Sequence, residues 1–411
     1  MPAAAAGSLP VVLSVGISRE ASSFGRQLGS MFAHLAARYE LHHLGIDYLG
    51  ARSDGAWTLH PAAGRSDIDG CRAIAALAPV LRPAVVLVTN DLWKVGPPLA
   101  AARQWAGDAR LVVSSPVDGE IMAPDLVDLL GEVACLAVYT ESARATVANA
   151  ARVHFGADAV GLLPRMRVMP HGVDTTVFRP LDEQSRAQSR LSARRRLFPD
   201  RPELWDSFIV LNANMNLGRK RLDLTLDGFA RFARDLSPNV RLLIHAKWHD
   251  WACDVRSESE RLGIADRLLT VTGGETLSAA SDEVLNLIYN ATDVGLSTSM
   301  GEGWGFVPLE HAAAGVAQIL PRHSALAEIW QGSAEFIEPV ERYAPPGALL
   351  ALQVVSGDDV AAALRRLYRD PARLSAVAAA CHANATRPDF RWAQVAARWD
   401  RLFCSLIDGS R

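Results

Sequence analysis

Short runs rich in Val, Ile and Leu recur along both halves of this chain, and stretches with helical spacing separate them. In the first half the runs are VVLSVGI (11–17), AVVLVTN (84–90), RLVVSSP (110–116) and ACLAVYT (134–140), with the helical stretch SSFGRQLGSMFAHLAARY (22–39) after the first. In the second half they are FIVLNAN (208–214), VRLLIHAKW (240–248), LLTVTGG (268–274), DVGLSTS (293–299) and AQILPRH (317–323), separated by helical patterns such as 221–235, 281–291 and 307–315. A strand that is apolar at almost every position is buried on both faces, and helices are what cover it. Two such series predict an α/β fold of two doubly wound, Rossmann-like domains facing a cleft. With 411 residues the chain is too long for one hydrophobic core and suits two domains of about 200 residues each.

The charged, strand-poor stretch RPLDEQSRAQSRLSARRRLFPDRPE follows the turn-rich PHGVDTTVFRP (170–180), and the domain boundary is expected there. The expected organisation is an N-terminal domain over 1–175, a linker or insertion over 176–204, and a C-terminal domain over 205–389. Trp392, Val395, Trp399, Leu402 and Leu406 fall at helical spacing near the end of the chain. That apolar face predicts a helix within 390–411 that packs on a domain.

A net charge of -3 gives no basic excess with which to release counterions from nucleic acid, so no nucleic-acid partner is expected. The run Arg194-Arg195-Arg196 reads as a solvated face. Five scattered cysteines without ligand spacing, an N-terminus lacking a basic region before its apolar run, and the lack of any window of about 20 apolar residues predict a cytoplasmic chain with no transmembrane anchor. No metal site and no cofactor are expected.

The stretch STSMGEGWGFVPLEHAAAGVAQI (297–319) runs from a strand through a glycine-rich turn into a helix. Beyond the carboxyl end of a parallel strand, this is where open sheets bind ligands. Gly301, Gly303 and Gly305 let main-chain N–H groups approach a ligand closely, and the helix N-terminus favours a phosphate. Glu302 in the turn suits the hydroxyls of a sugar, and Glu310 in the helix suits a vicinal diol such as a ribose. A plainer reading makes both glutamates favourable charges on a helix dipole.

The string E302-GWGFVPL-E310, followed by HAAAG (311–315), resembles the E-x7-E signature of retaining glycosyltransferases of the GT-B fold, family 4. PHGVDTTVFRP (170–180) is similar to that family's inter-domain motif, and NANMNLGRKRLDLTLDGFARF (212–232) to its diphosphate-binding strand–loop–helix. The resemblance implies a metal-independent enzyme that moves a sugar from a nucleotide-diphosphate donor, UDP- or GDP-linked, to an acceptor hydroxyl with retained configuration. Lys220 and then Arg219 are the cations that would meet the leaving diphosphate, beside Glu302. Glu310, Gly303, Trp304, Gly305, Phe306 and Gly16 would line the donor, and Thr272 and Gly273 would receive the base, with Glu275 and Leu277 as companions. The family's arginine about five residues before the lysine is Met215 here. Its loop histidine is missing, and Asp118 in SSPVDGE stands in that loop as sugar contact, base or turn former, with Glu120 a second choice. His171, Asp174 and Phe178 read as structural residues of the linker motif. The acceptor is not legible, and a peripheral membrane contact stays open. Rival readings are a non-catalytic sugar-nucleotide-binding subunit and a GT-B epimerase or phosphorylase.

Overall fold

Burial on both faces turns the apolar runs into parallel strands. The computed structural model describes residues 9–19, 22–271 and 280–409. The chain forms two units: Met1–Val117 with Ile121–Gly172 and Trp392–Arg411, and Asp118–Glu120 with Val173–Arg391.

In the first unit the strands are β1 (Val11–Gly16), β2 (Glu40–Gly45), β3 (Ser53–Asp54), β4 (Thr58–Pro61), β5 (Val85–Thr89) and β6 (Arg110–Ser114). After a two-residue β7 (Glu120–Ile121), which is outside this sheet and whose Glu120 belongs to the second unit, come β8 (Cys135–Val138) and β9 (Met166–Val168). The sheet order is β3-β4-β2-β1-β5-β6-β8-β9. β1 pairs in parallel with β2 on one side and β5 on the other, so the winding direction reverses between β1 and β5. Gly16 ends β1 at that point, and a Cβ there would stand 2.8 Å from the Thr89 carbonyl oxygen. Only glycine lets the two strand ends lie so close.

The two histidines of β2, ELHHLG, hide its strand character in the sequence, because they interrupt the apolar run. Both are buried, and a ring nitrogen of each is partnered: His42 Nδ1 lies 2.9 Å from His60 Nε2, and His43 Nδ1 lies 3.3 Å from Ser14 Oγ. The final helix, Trp392–Asp408, belongs to this unit. Trp392, Val395, Trp399 and Leu402 are buried, and Asp400 receives the Tyr39 hydroxyl at 2.8 Å and an ion pair from Arg38 at 2.7 Å.

The second unit holds β10 (Phe208–Asn212), β11 (Val240–Ile244), β12 (Leu268–Leu269), β13 (Val294–Leu296), β14 (Ala317–Pro321) and β15 (Glu335–Ile337) in the order β12-β11-β10-β13-β14-β15. A separate hairpin pairs β16 (Glu341–Tyr343) with β17 (Leu350–Val354). β10 lies in parallel between β11 and β13. The loop after β10 therefore turns to one side and the loop after β13 to the other, which opens a crevice at their carboxyl ends.

The stretch 176–204, expected as linker or insertion, is part of this second unit and contains the helix Arg186–Leu197. Arg194, expected in a solvated face, is 1% exposed. Its guanidinium donates to Asp293 Oδ2 at 2.6 Å and to the carbonyls of Ala291 and Trp205 at 2.7 and 2.9 Å. Asp293, just before β13, makes the difference: a buried carboxylate needs a partner, and it also accepts the Ile209 N–H at 2.7 Å. Among the described residues, no helix is long and apolar enough to cross a membrane.

Candidate active site

The crevice between β10 and β13 is built first from amides and hydroxyls. Asn212 ends β10 and is buried, donating to Thr225 Oγ1 at 2.8 Å and accepting from the side chain of Asn214 at 2.9 Å. Thr225 Oγ1 lies 2.7 Å from Thr298 Oγ1, in the loop after β13. Thr298 Oγ1 lies 3.1 and 2.8 Å from the carbonyls of Lys220 and Arg221. Asn216 donates to the carbonyls of Lys247 and Cys253 at 3.0 and 2.7 Å, tying in the loop after β11. This buried ladder fixes the turn Gly218–Lys220, which Arg221 closes in the left-handed region at φ 49° before the helix Leu222–Ala233 starts.

The turn presents its two cations to the loop after β13. Lys220 is buried and forms an ion pair with Glu302. Arg219 donates to the Gly301 carbonyl at 2.7 Å and stands 3.6 Å from the other oxygen of Glu302. Its Nε is 3.3 Å from Asp118 Oδ2. The Met300 N–H returns to the Arg219 carbonyl at 2.7 Å. Two carboxylates and two cations thus form one compact, charge-balanced quartet.

Burial and balance set the acidities. Burial works to raise the Glu302 carboxyl, but Lys220 and Arg219 outweigh it and hold the group below its ordinary value. Burial also acts on Asp118 and there prevails, so that carboxyl is raised despite the pull of Arg219. The Lys220 ammonium is lowered by burial and by repulsion from Arg219, against the attraction of Glu302. A buried lysine beside a guanidinium is an electrostatically loaded group, of the sort that clusters at functional sites.

Glu310 sits in the second turn of the helix Phe306–Ala313 and is buried. The Tyr289 hydroxyl donates to its Oε2 at 3.1 Å, and the Tyr289 ring stacks on His311 at 4.9 Å. Gly305 enters the helix at φ 92°, a conformation that a side chain would strain. Gly301 permits a close approach, since a Cβ there would lie 2.4 Å from the Asp118 carbonyl oxygen. The Gly303 N–H bonds to the Asp118 carboxylate. Trp304 is buried edge-on against Phe390, with centroids 5.2 Å apart, and Phe306 is half-buried at the helix start.

Lys220, Arg219, Glu302, Asp118, Gly301 and Gly303 are therefore brought together. Gly16 lies in the first unit, at the end of β1. Thr272, Gly273, Glu275 and Leu277 lie outside the described residues. Met215 is 62% exposed, and Glu120 pairs with Arg342 at 2.8 Å. His171 is buried among Tyr139 and Trp392, and Phe178 packs near Tyr289. Among the described residues no group of three His, Cys, Asp or Glu side chains could hold a metal ion.

Sequence reasoning missed the residues that position the quartet, Asn212, Thr225 and Thr298 together with Ser324 and His323 behind Glu302 and Ser299, and it missed Tyr289, which meets Glu310. Alternating asparagines in NANMN were a visible signal, because amides at every second position after a strand point to one buried face. The others announce themselves only by contact.

No family model and no curated protein matches this chain. Solved structures do. Sucrose-phosphate synthase from Thermosynechococcus elongatus aligns at a TM-score of 0.73 and 15% identity, covering 97% of this chain and 100% of that one. Anabaena HepE, in complex with UDP and glucose, aligns at 0.70 and 13% identity over 96% and 100%. The α,α-trehalose 6-phosphate synthase from Burkholderia multivorans aligns at 0.70 and 16% identity over 98% and 100%. At such identities the likeness shows the fold, and the fold of this chain is that of the GT-B glycosyltransferases, with two Rossmann-like domains.

Proposed function

We propose that this chain is a glycosyltransferase that moves a sugar from a nucleotide-diphosphate donor to an acceptor hydroxyl, with retained configuration and without a metal. One observation carries the reading: the E-x7-E stretch and the Arg219–Lys220 turn, 82 residues apart in sequence, meet in the switch-point crevice of the second unit. UDP- or GDP-linked sugars are the donors, and the complex of Anabaena HepE with UDP and glucose supports the UDP-linked class.

In the donor complex the diphosphate rests on the N–H groups of the 301–306 turn and helix start, and Lys220 and Arg219 turn toward it. The transition state resembles an oxocarbenium ion parting from a diphosphate. Charge grows on the leaving oxygens, and two preplaced cations lower its energy; removal of one costs about 3 kcal/mol. Glu302 takes sugar hydroxyls, and Glu310 takes the ribose diol. Asp118 holds Arg219 in place. The acceptor attacks on the face that the diphosphate leaves, and a phosphate oxygen takes its proton.

The test is a panel of UDP- and GDP-sugars, followed by thermal shift and by release of nucleoside diphosphate. The expected outcome is stabilisation by one donor class and slow release, insensitive to a chelator and about 100-fold slower in Lys220→Ala. Binding without any release identifies a non-catalytic sugar-nucleotide-binding subunit instead. No binding to any donor overturns the reading.

A further inference from the structure

Ser324 is held at φ 43°, one of three non-glycine residues with positive φ among the described residues. It has no glycine's freedom there, and L-residues avoid this region because Cβ crowds the backbone. Strain of this kind persists where the side chain has a task, so the hydroxyl is the place to look. Ser324 Oγ accepts the Glu302 N–H at 3.3 Å and stands 3.1 Å from the Glu302 carbonyl oxygen. The Ala325 N–H reaches that same carbonyl at 3.3 Å. Ser324 Oγ and the Ala325 N–H therefore bracket the two backbone groups of Glu302.

The neighbouring His323 extends the grip. Its Nε2 lies 2.7 Å from the Ser299 carbonyl, which can only accept, so Nε2 carries the proton. The ring is buried, which favours its neutral form, and Nδ1 is then an acceptor 3.0 Å from Ser324 Oγ. Ser299 Oγ donates to the Gly301 carbonyl at 2.9 Å, so residues 299 to 302 are held along their whole length.

We propose that His323 and Ser324 form a positioning clamp that sets where Glu302 presents its carboxylate, and so governs the grip on the donor sugar. The proposal rests on the reading of Glu302 as the residue that binds sugar hydroxyls. Neither clamp residue touches the donor; both act through the Glu302 backbone.

The test separates a positioning role from a structural one. Ser324→Gly removes the hydroxyl and relieves the backbone strain together, so its melting temperature should equal or exceed that of the parent chain. Affinities are measured by calorimetry for UDP-glucose against UDP and for GDP-mannose against GDP. In Ser324→Gly the sugar nucleotide that the parent chain binds should weaken about tenfold, as for loss of one charge-assisted contact. The matching nucleoside diphosphate should change less than about twofold, within one weak contact. His323→Gln should fall between the parent chain and Ser324→Gly. A Ser324→Gly variant that binds the sugar nucleotide as the parent does, or that melts markedly lower, overturns the clamp. If Glu302→Gln itself leaves sugar-nucleotide affinity unchanged, the reading of Glu302 fails and the clamp falls with it. A parent chain that binds neither pair overturns both as well.

Discussion

Lys220 and Glu302 are buried against each other, and this makes their energetics lopsided. Together they are close to neutral for stability, but a lone survivor is a charge without water. Lys220→Met should therefore lower stability by about 3 kcal/mol, and Glu302→Gln added to it should recover most of that loss. Urea unfolding of the two single variants and the double variant measures the coupling, while turnover stays lost in all three. An additive double variant would mean that the ion pair is not formed in solution. Tyr289→Phe is a milder probe, because it removes only the hydroxyl at 3.1 Å from Glu310. One neutral-to-charged hydrogen bond of about 1.5 kcal/mol corresponds to roughly a tenfold rise in donor KM with kcat little changed. A change confined to kcat would place Glu310 away from the ribose.

Elements enter where backbones approach each other. The helix Leu222–Ala233 packs on the helix Gly357–Arg369 through Gly228, whose added Cβ would lie 2.3 Å from Val360 Cγ1. Gly228→Ala should cost about 1 to 3 kcal/mol through overpacking, and about 2 to 4 °C in melting temperature for each of those. Gly301→Ala meets the Asp118 carbonyl at 2.4 Å in the loop that aims Glu302. Its loss should fall on activity more than on melting temperature, which a paired assay and thermal scan would show.

Much at this scale was legible. The strands at 208–212 and 294–296 are apolar runs, and the helix Phe306–Ala313 follows them behind glycines, so the positions of Lys220 and Glu302 on two loops could be read. The strand Glu40–Gly45 could not, because its histidines look polar until their partners are known. Arg194 misled for the opposite reason: in sequence it is one of three arginines, and only Asp293 distinguishes it.

Across the whole molecule, buried neutral histidines couple stability to pH. Burial pushes His171 in the first unit and His311 in the second from the usual 6.5 down to about 3. In the unfolded chain both take up a proton near pH 6.5, and in the folded chain they do not. Stability is therefore fully present above pH 6.5 and declines as pH falls toward 3, by about 1.4 kcal/mol per unit for each histidine. Urea midpoints measured from pH 7 to 5 should drop accordingly, and His311→Gln should flatten the slope. An unchanged slope would mean that His311 is protonated in the fold.

The amino-acid order alone determined the α/β class, the strands of both sheets that are purely apolar, and the two loops that bear the charged residues. These follow from local rules: periodicity, burial and the conformational freedom of glycine. Tertiary structure alone decided that Asp118 meets Arg219, that Tyr289 meets Glu310, and that a strained serine takes the Glu302 N–H. Partners distant along the chain leave no local pattern, because each is chosen by the buried charge or amide it satisfies, and that demand exists only once the chain has folded around it.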